Sequence, residues 1–367
     1  MSERVTSKGE SDRVRSQSRV FMASRNWTDI AGRFFALLLV FAFFSFMVPE
    51  GKFYTLRNLE NILRQSAVYG TAGLGMTLVI ITGGIDLSVG SMIALSVVAV
   101  AWVLNIGTGA GAATVGGDET RYFVYEHAML APILACLVAI AAATMAGLAN
   151  GAIVVWLRLM PFIVTLGTMG VFRGLAKGIA HERDIYPPDT TWIGHIMDPT
   201  MTSRSGSGLL LPVGVWILIA GVLATSFLLR YTRLGRHTYA IGSNEETARL
   251  CGVQVGRTKL IVYALCGFFC GIAGLMQFSY IGIGQPTTGD KYELFAIAAV
   301  IIGGASFSGG EGSALGTLIG ALTITVLYAG GQQIGWAKWV QEMVIGAIII
   351  MAVALDRLRH RRATSMD

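Results

Sequence analysis

The stretch YTRLGRHTYAIGSNEETARLCGVQVGRTK, residues 231–259, is polar and basic, and it separates two apolar runs that are each long enough to cross a bilayer. Within it, Ser243 precedes Glu246 by three residues, a spacing that predicts a capping box. A short helix over residues 244–250 should follow, closed by Gly252 in a left-handed conformation. On composition alone, a plain solvated linker explains the stretch equally well.

Composition places the rest of the chain in a membrane. Of its 367 residues, 53% are hydrophobic and only 14% are charged, whereas soluble domains carry roughly 25% charged residues. Because one crossing needs about 20 apolar residues, the chain has room for on the order of ten crossings and for no large soluble domain. We therefore predict an all-α polytopic membrane protein.

Ten apolar runs are candidates for transmembrane helices. They cover residues 32–48, 67–82, 89–104, 131–156, 162–179, 209–229, 260–281, 294–305, 314–329 and 339–355. Residues 55–65 carry apolar side chains at helical spacing, which favours a separate short helix at the membrane interface. No cleavable signal peptide precedes the first run.

The basic residues indicate which side each loop faces. Residues 1–33, 230–259 and 357–362 hold 17 of the 28 lysines and arginines, so the positive-inside rule places these segments and both termini in the cytoplasm. Lys52, Arg57 and Arg64 run against the rule, because this count leaves them outside, but the three larger clusters outweigh them. The net charge of +6 follows topology and is not gathered on one face, so the predicted surroundings are the lipid bilayer and no nucleic acid.

The same reading divides the chain into three parts. Residues 1–30 are expected to form a disordered cytoplasmic N-terminus, since they are rich in serine and arginine. Residues 31–356 form the transmembrane domain, with the cytoplasmic loop at 231–259. Residues 357–367 form a basic cytoplasmic tail.

Several kinds of active site are missing from the sequence. No G-x-x-x-x-G-K-[ST], G-x-S-x-G or H-E-x-x-H motif occurs, and the five histidines show no metal-ligand spacing. The chain is therefore not expected to be an enzyme or to bind a cofactor or metal. Small residues are interpreted as packing contacts between helices; they are the cysteines 136, 251, 266 and 270 and the glycines 267, 271, 312, 316 and 320.

Three further stretches carry a resemblance to a known family. They are GGIDLSVGS at 83–91, NGAIVVWLRLMPFIVTLGTMGVFRG at 150–174 and QPTTGDKYELFAIAAVIIGGASFSGGEGS at 285–313. The loop at 231–259 looks like the EAA-type coupling loop of ATP-binding-cassette permeases, and the four stretches together resemble sugar-uptake permeases of the ribose, xylose and autoinducer-2 type. The resemblance covers about residues 56–356. The long polar N-terminus and a glycine-rich insertion ending at His127 depart from the family pattern.

The resemblance implies a permease subunit of an importer in the bacterial inner membrane. Two permease chains, identical or sister chains, would form one pathway, and a periplasmic binding protein would deliver a monosaccharide such as ribose or a similar small polar solute. A separate ATPase subunit, which holds ATP and Mg, would dock on the loop. The residues implied for docking are Gly242, Ser243, Asn244, Glu245, Glu246, Ala248, Arg249, Leu250 and Gly252.

Polar and aromatic residues near the predicted helix ends are candidates for the translocation pathway; they are Asp86, Ser88, Phe162, Thr165, Thr168 and Glu293. A carboxylate such as Asp86 is costly in an apolar region unless it faces water or a partner. Asp86 or Ser88 can instead cap the following helix, and Glu293 can cap its own helix or meet the delivering protein. The Gly-Gly stretches at 83 and 303 share a pattern that predicts a weak internal repeat.

The alternative function is a secondary transporter of a small polar solute, driven by an ion gradient. Such a transporter needs carboxylates or histidines in its membrane spans for coupling, and apart from Asp86 the predicted spans contain few. An integral membrane enzyme would need a cluster of catalytic polar residues at one depth, and none is visible. Association with an ATPase subunit separates the importer from both alternatives.

Overall fold

The computed structural model describes residues 30–106, 127, 129–188, 192–200 and 210–364, and its regular structure is helical. The helices are α1 (Ile30–Met47), α2 (Leu56–Ile81), α3 (Val89–Leu104), α4 (Leu130–Trp156), α5 (Pro161–Ile179), α6 (Val213–Tyr231), α7 (Arg233–Ser243), α8 (Glu245–Leu250), α9 (Val255–Ile281), α10 (Tyr292–Ile302), α11 (Ala314–Gln333) and α12 (Lys338–Thr364). Short 3-10 turns lie at Pro49–Tyr54 and Trp192–His195. The all-α prediction is confirmed. The predicted disordered N-terminus and most of the insertion lie outside the described residues.

Among the described residues, six helices are long and apolar enough to cross a membrane, namely α1, α4, α5, α6, α9 and α11. α3 and α10 are apolar but have 16 and 11 residues, which makes them about 24 and 16 Å long. A bilayer core is about 30 Å thick. The prediction of a full crossing by residues 294–305 is therefore wrong, because α10 reaches only about halfway.

The first part of α2 corrects another prediction. Residues 55–65 do not form a separate interfacial helix but are the first turns of α2. The polar side chains of this stretch have partners inside the fold: the Asn58 side-chain nitrogen Nδ2 donates to the Phe53 carbonyl at 2.6 Å, and the buried Glu60 carboxylate accepts from the Thr200 backbone amide. Since these groups are satisfied, the helix continues without a break to Ile81.

The centre of the fold is formed by α2, α3, α4 and α9, where the second half of α2 and nearly all of α3 are buried. Glycines let α9 approach α4 closely, as predicted. A Cβ added at Gly267 would collide with the Ala143 carbonyl, and one at Gly271 would lie 2.8 Å from the Cα of Ile140. Gly316 and Gly320 of α11 meet the end of α10 in the same way. Without a Cβ, helix backbones can pack at the distance that dispersion favours.

The cysteines fit the packing interpretation in α9, where Cys266 and Cys270 are buried and free. Cys251 is exposed, so the interpretation is wrong at that position, because the chain has already left α8 there. At the other end, α12 continues to Thr364 and includes the first part of the predicted basic tail.

Candidate coupling segment and translocation site

The candidate coupling segment, residues 231–259, folds as α7, α8 and the first turn of α9. The predicted capping box is wrong by one residue: Ser243 is the last residue of α7, and Asn244 is the N-cap of α8, accepting from the Thr247 amide at 2.8 Å. Both residue types cap helices well, and α7 uses Ser243 for itself. The predicted short helix is confirmed, and Gly252 closes it with a φ of 84°.

α8 is held against the start of α9. Ala248 is buried with Ile241 and Val255, and the Glu245 carboxylate accepts from Lys259 at 2.7 Å and from Arg249 at 3.0 Å. The hydrogen bond from Lys259 lowers the pKa of the Glu245 carboxyl below its ordinary value. This contact therefore stabilises the segment above the ordinary glutamate pKa and is lost as the pH falls through the lowered one.

The far side of α8 is open. Leu250 is 84% exposed at its end, and the side chains of Glu246, Thr247 and Cys251 are exposed around it. A leucine that is exposed to this degree stabilises a complex when a partner buries it, by about 1.5–3 kcal/mol. The arrangement is an apolar tip with a polar rim, presented on a short, supported helix.

The C-terminal end of α7, at Gly242, contacts two glycine-rich loops, one after α2 and one after α10. A Cβ added at Gly242 would collide with the Ile81 carbonyl at the end of α2 and with the Gly310 amide. The Gly310 amide itself donates to the Ile81 carbonyl at 2.9 Å, and the Tyr239 hydroxyl donates to the Gly312 carbonyl at 2.7 Å. Three backbone segments, near residues 81, 242 and 310, thus meet with almost no side chain between them.

The two loops end their helices in the same way. Gly83 and Gly304 have φ values of 77° and 84°, and the hydrogen bonds Gly83 to Ile80 and Gly304 to Ile301 measure 2.9 and 2.8 Å. The next amide of each loop, at residues 84 and 305, reaches the carbonyl five residues back. The two helix ends correspond with Gly83 matching Gly304 instead of Gly303, but many helices end in this way, so the weak internal repeat stays a prediction.

Asp86 and Ser88 lie in a fully buried polar cluster between α2 and α3. The Asp86 carboxylate accepts from the Ser88 amide at 2.9 Å and from its hydroxyl at 2.6 Å, whereas Ser88, the N-cap of α3, makes no side-chain cap hydrogen bond. Asn150 of α4 donates to the Ser88 hydroxyl at 2.7 Å. Both predicted residues are 0% exposed, which supports a structural role for them in this conformation.

α3 and α10 begin side by side. A Cβ added at Gly90 would collide with the Gly289 carbonyl and with the Glu293 carboxylate. Helix N-termini carry a partial positive charge, which a carboxylate in the first turn offsets. Glu293 lies in the first turn of α10 and also against the start of α3. Its carboxylate is thus near the N-termini of two helices and close to the loop that contains Asp86.

α5 borders this region. Thr165 is buried, and its hydroxyl donates to the Ile85 carbonyl at 3.2 Å. Arg173 donates to the carbonyls of Pro286 and Thr288, at 3.0 and 2.5 Å, in the loop before α10. Thr168 is half-buried, whereas Phe162 is 50% exposed. The structure thus brings Asp86, Ser88, Thr165 and Glu293 together around the start of α3 and leaves Phe162 on the outer surface of the chain.

Sequence reasoning missed three residues at these contacts: Asn150, Tyr239 and Tyr263. Asn150 is an amide within an otherwise apolar 27-residue helix, and that isolation is a signal the sequence offers. The Tyr263 hydroxyl and the Asn150 Oδ1 atom are buried without a hydrogen-bond partner among the described residues. Tyr239 carries no such signal, because its partner at Gly312 is 73 residues away.

Comparison with known proteins gives consistent matches over most of the chain. Residues 58–353 match the family model described as branched-chain amino acid transport system / permease component. The ribose import permease protein of Escherichia coli is 38% identical over 339 residues, covering 89% of this chain and 92% of its own. The galactose/methyl galactoside import permease protein of Escherichia coli is 36% identical, covering 90% and 95%. The D-allose transport system permease protein of Escherichia coli is 33% identical, covering 94% and 96%. No solved structure gives a significant match.

Proposed function

The chain belongs to the family of the branched-chain amino acid transport system / permease component, and from this membership we propose that it carries a monosaccharide inward as the membrane subunit of an ATP-binding-cassette importer. It is a multi-pass membrane permease and not an enzyme. The relatives are named for ribose, galactose and methyl galactoside, and allose. These are neutral, hydroxyl-rich solutes, so the proposed substrate class is the monosaccharides, although the family description names amino acids.

The proposed partners follow from this role. A binding protein delivers the sugar on the outer side, and an ATPase subunit, which holds ATP and Mg, docks on the coupling segment. The exposed Leu250 side chain supports this docking, because it is an apolar group that a partner can bury. The exposed Glu246 lies beside Leu250 on α8, and Arg249 supports this helix through its contact with Glu245.

The contact of Gly242 with both glycine-rich loops is the observation that carries the coupling mechanism. α8 and α7 move as one body, because Ala248, Ile241 and the Glu245–Lys259 ion pair hold them to each other and to α9. A displacement of α8 by the partner presses Gly242 on the end of α2 and on the loop after α10. The first loop leads to the start of α3, and the second follows the end of α10, whose start lies beside that of α3. The pathway would open and close between two states at these paired starts.

The proposed topology has both termini in the cytoplasm and ten crossings of the bilayer, with one crossing made by a loop and a half-length helix. The short α10 and the loop before it, which Arg173 holds, support this arrangement. Irregular backbone is tolerated at membrane depth where protein surrounds it or where it lines a cavity. In the loop before α10, Gly284, Pro286, Thr288 and Gly289 are buried within the protein.

A second permease chain is proposed to pack against α5. Gly167, Gly170, Gly174 and Gly178 share one face of this helix at spacings of three and four residues, and an added Cβ at any of them would meet nothing within 4 Å. The buried residues Thr165, Phe172 and Ala176 point the other way. Glycine faces of this kind pair transmembrane helices.

The test uses the chain in nanodiscs together with the ATPase and binding proteins encoded beside it. Leu250→Ser should weaken ATPase association by roughly tenfold or more, because the buried apolar contact is lost. The matched control is Leu157→Ser, another exposed leucine, at 63%, which should change nothing. Tyr239→Phe should leave association intact and reduce hydrolysis stimulated by the sugar-loaded binding protein, since it removes one bond between α7 and the loop at Gly312.

The ion-gradient alternative gives the opposite pattern. Uptake of labelled ribose, galactose or allose into proteoliposomes would then collapse with a protonophore and persist without the ATPase. Failure of any ATPase to bind the native chain, or equal binding by Leu250→Ser and Leu157→Ser, would contradict the proposed docking. Stimulation by an amino acid in place of a sugar would correct the substrate class alone.

A further inference from the structure

A polar cavity of about 440 Å³ opens at the beginning of α2, away from the coupling segment. Its lining is Lys52, Thr55, Arg57, Asn58, Glu60, Asn61, Arg64, Pro199 and Gln333. Three of these side chains are cationic and one is a carboxylate. The cations are the residues that run against the positive-inside rule, and the proposed transport mechanism uses none of them.

The backbone adds to the positive field. Thr55 is the N-cap of α2, accepting from the Asn58 amide at 3.4 Å, and the first turn of the helix contains no acidic residue. The N-terminus of a long helix carries a partial positive charge and free amides that bind anions. Here the cations stand around that end and no carboxylate in the first turn offsets it.

The side chains within the cavity leave a donor and an acceptor unused. The Arg64 guanidinium lies 4.7 Å from the centroid of the Tyr280 ring, which fixes its plane, and its buried Nε has no hydrogen-bond partner among the described residues. The Gln333 Nε2 atom donates to the side-chain Oδ1 of Asn58 at 2.6 Å, while the buried Gln333 Oε1 has no hydrogen-bond partner among the described residues. The Glu60 carboxylate is engaged by the Thr200 amide.

We propose that this cavity binds the phosphate of a hydroxylated phosphate ester. The phosphate lies at the start of α2, where Arg57 and Arg64 donate to its oxygens, and arginine's planar donors match phosphate geometry. A free hydroxyl of the same ligand donates to Gln333 Oε1. Lys52 is already paired with Glu50 at 2.7 Å, but a neutral sugar would offer no anion to Arg57 and Arg64. An anion without a hydroxyl, such as sulfate, would leave the Gln333 acceptor empty.

Two sources supply this chemistry: the head group of a phosphoglycerol lipid, and a soluble glycerol phosphate. The neighbours of the cavity favour the lipid. Tyr54 and Leu56, on either side of Thr55, are 60% and 52% exposed, and tyrosines are enriched where a protein meets the membrane interface. Acyl chains can therefore lie on this apolar surface while the head group enters the cavity.

The experiment compares two ligands on the full chain. Native mass spectrometry follows lipid retained from nanodiscs of phosphatidylglycerol or phosphatidylcholine, and calorimetry in detergent measures glycerol 3-phosphate. We expect phosphatidylglycerol to be retained selectively. The double variant Arg57→Gln/Arg64→Gln should reduce this retention by about tenfold or more. Lys177→Gln, which removes an exposed cation outside the cavity, is the matched control and should retain lipid as the native chain does.

Arg64→Lys keeps the charge and removes the Nε donor, so it should give an intermediate loss, and it serves if the double variant fails to fold. Binding of glycerol 3-phosphate without selective lipid retention would assign the cavity to the soluble ester. Equal retention by the double variant and Lys177→Gln, with no binding of glycerol 3-phosphate, would overturn the proposal. So would a double variant that binds both probes normally and loses only its response to the binding protein, because the cations would then contact acidic side chains of that partner.

Discussion

The helices α9 and α5 both carry glycines at helical spacing, but the surroundings of these glycines differ. In α9, two thirds of the apolar window, 67%, is buried, and Gly267 and Gly271 press on the backbone of α4. In α5 only 28% is buried, and Gly170 and Gly174 have open space in front of them. The motif alone does not say which partner it serves. The neighbours within the chain distinguish the two helices: the glycine face of α9 is filled by α4, whereas that of α5 is open, as the proposed contact with a second permease chain requires.

The largest effect that this comparison predicts comes from Gly267→Val. The branched side chain has no room beside the Ala143 carbonyl, and because the obstacle is backbone, overpacking should cost at least about 1–3 kcal/mol. Fluorescence-detected size exclusion should show little monodisperse protein. Gly346→Val, in open space on α12, is the control. A yield of Gly267→Val equal to that of the native chain would contradict the close packing of α9 on α4.

The next effect is on assembly. Gly170→Leu combined with Gly174→Leu should leave the chain folded, because neither side chain meets a neighbour, but should block close approach of a second helix. Mass measurement by light scattering should change from two permease chains to one, and sugar uptake should fall with it. Loss of folded protein would instead mean that α5 packs within its own chain.

A smaller effect is expected from Gly271→Ala. The added methyl would lie 2.8 Å from the Cα of Ile140, so the helices must separate slightly, at a cost of roughly 1 kcal/mol. The melting temperature of the purified chain should fall. Gly170→Ala, at the same spacing in α5, is the matched comparison and should not lower it.

The smallest effect, and one of opposite sign, is expected from Gly178→Ala. With nothing within 4 Å, alanine only reduces the backbone entropy lost on folding, which stabilises a helix by about 0.5–1 kcal/mol. The unpaired chain in detergent should melt slightly higher. If the form with two permease chains melts lower instead, Gly178 belongs to the contact between the chains. No change in the melting temperature of either form would mean that Gly178 affects neither the stability of α5 nor that contact.

The features that the sequence predicts well are the ones that neighbouring residues determine. The short helix and its end at Gly252 follow from residues within one turn, and so does the bond from Asp86 to the Ser88 amide. The N-cap of α8 shows the limit of such reasoning, because Ser243 and Asn244 are both good caps. Only the preceding helix α7, which takes in Ser243, selects Asn244.

Features that depend on distant residues could not be predicted. Gly242 was a candidate for docking, yet its neighbours are Ile81 and Gly310, and no local pattern connects them. The apolar side chains of residues 55–65 favour a separate interfacial helix, whereas the buried Glu60 within this stretch has its partner at Thr200, 140 residues away. Burial of polar groups through such pairs is a property of the fold and leaves no mark on periodicity.

α2 connects the polar cavity at its first turn with the contact between Ile81, Gly242 and Gly310 at its last turn. It begins at the polar cavity with Arg57 and ends at Ile81, which accepts from Gly310 beside Gly242. Its 26 residues form a continuous helix about 39 Å long. A shift of the whole helix along its axis therefore moves both ends together. By thermodynamic linkage, if a ligand in the cavity changes the affinity for the cytoplasmic partner, that partner changes the affinity for the ligand by the same factor. The lipid around the outer end of α2 would then act as an effector of the subunit docked at the inner end.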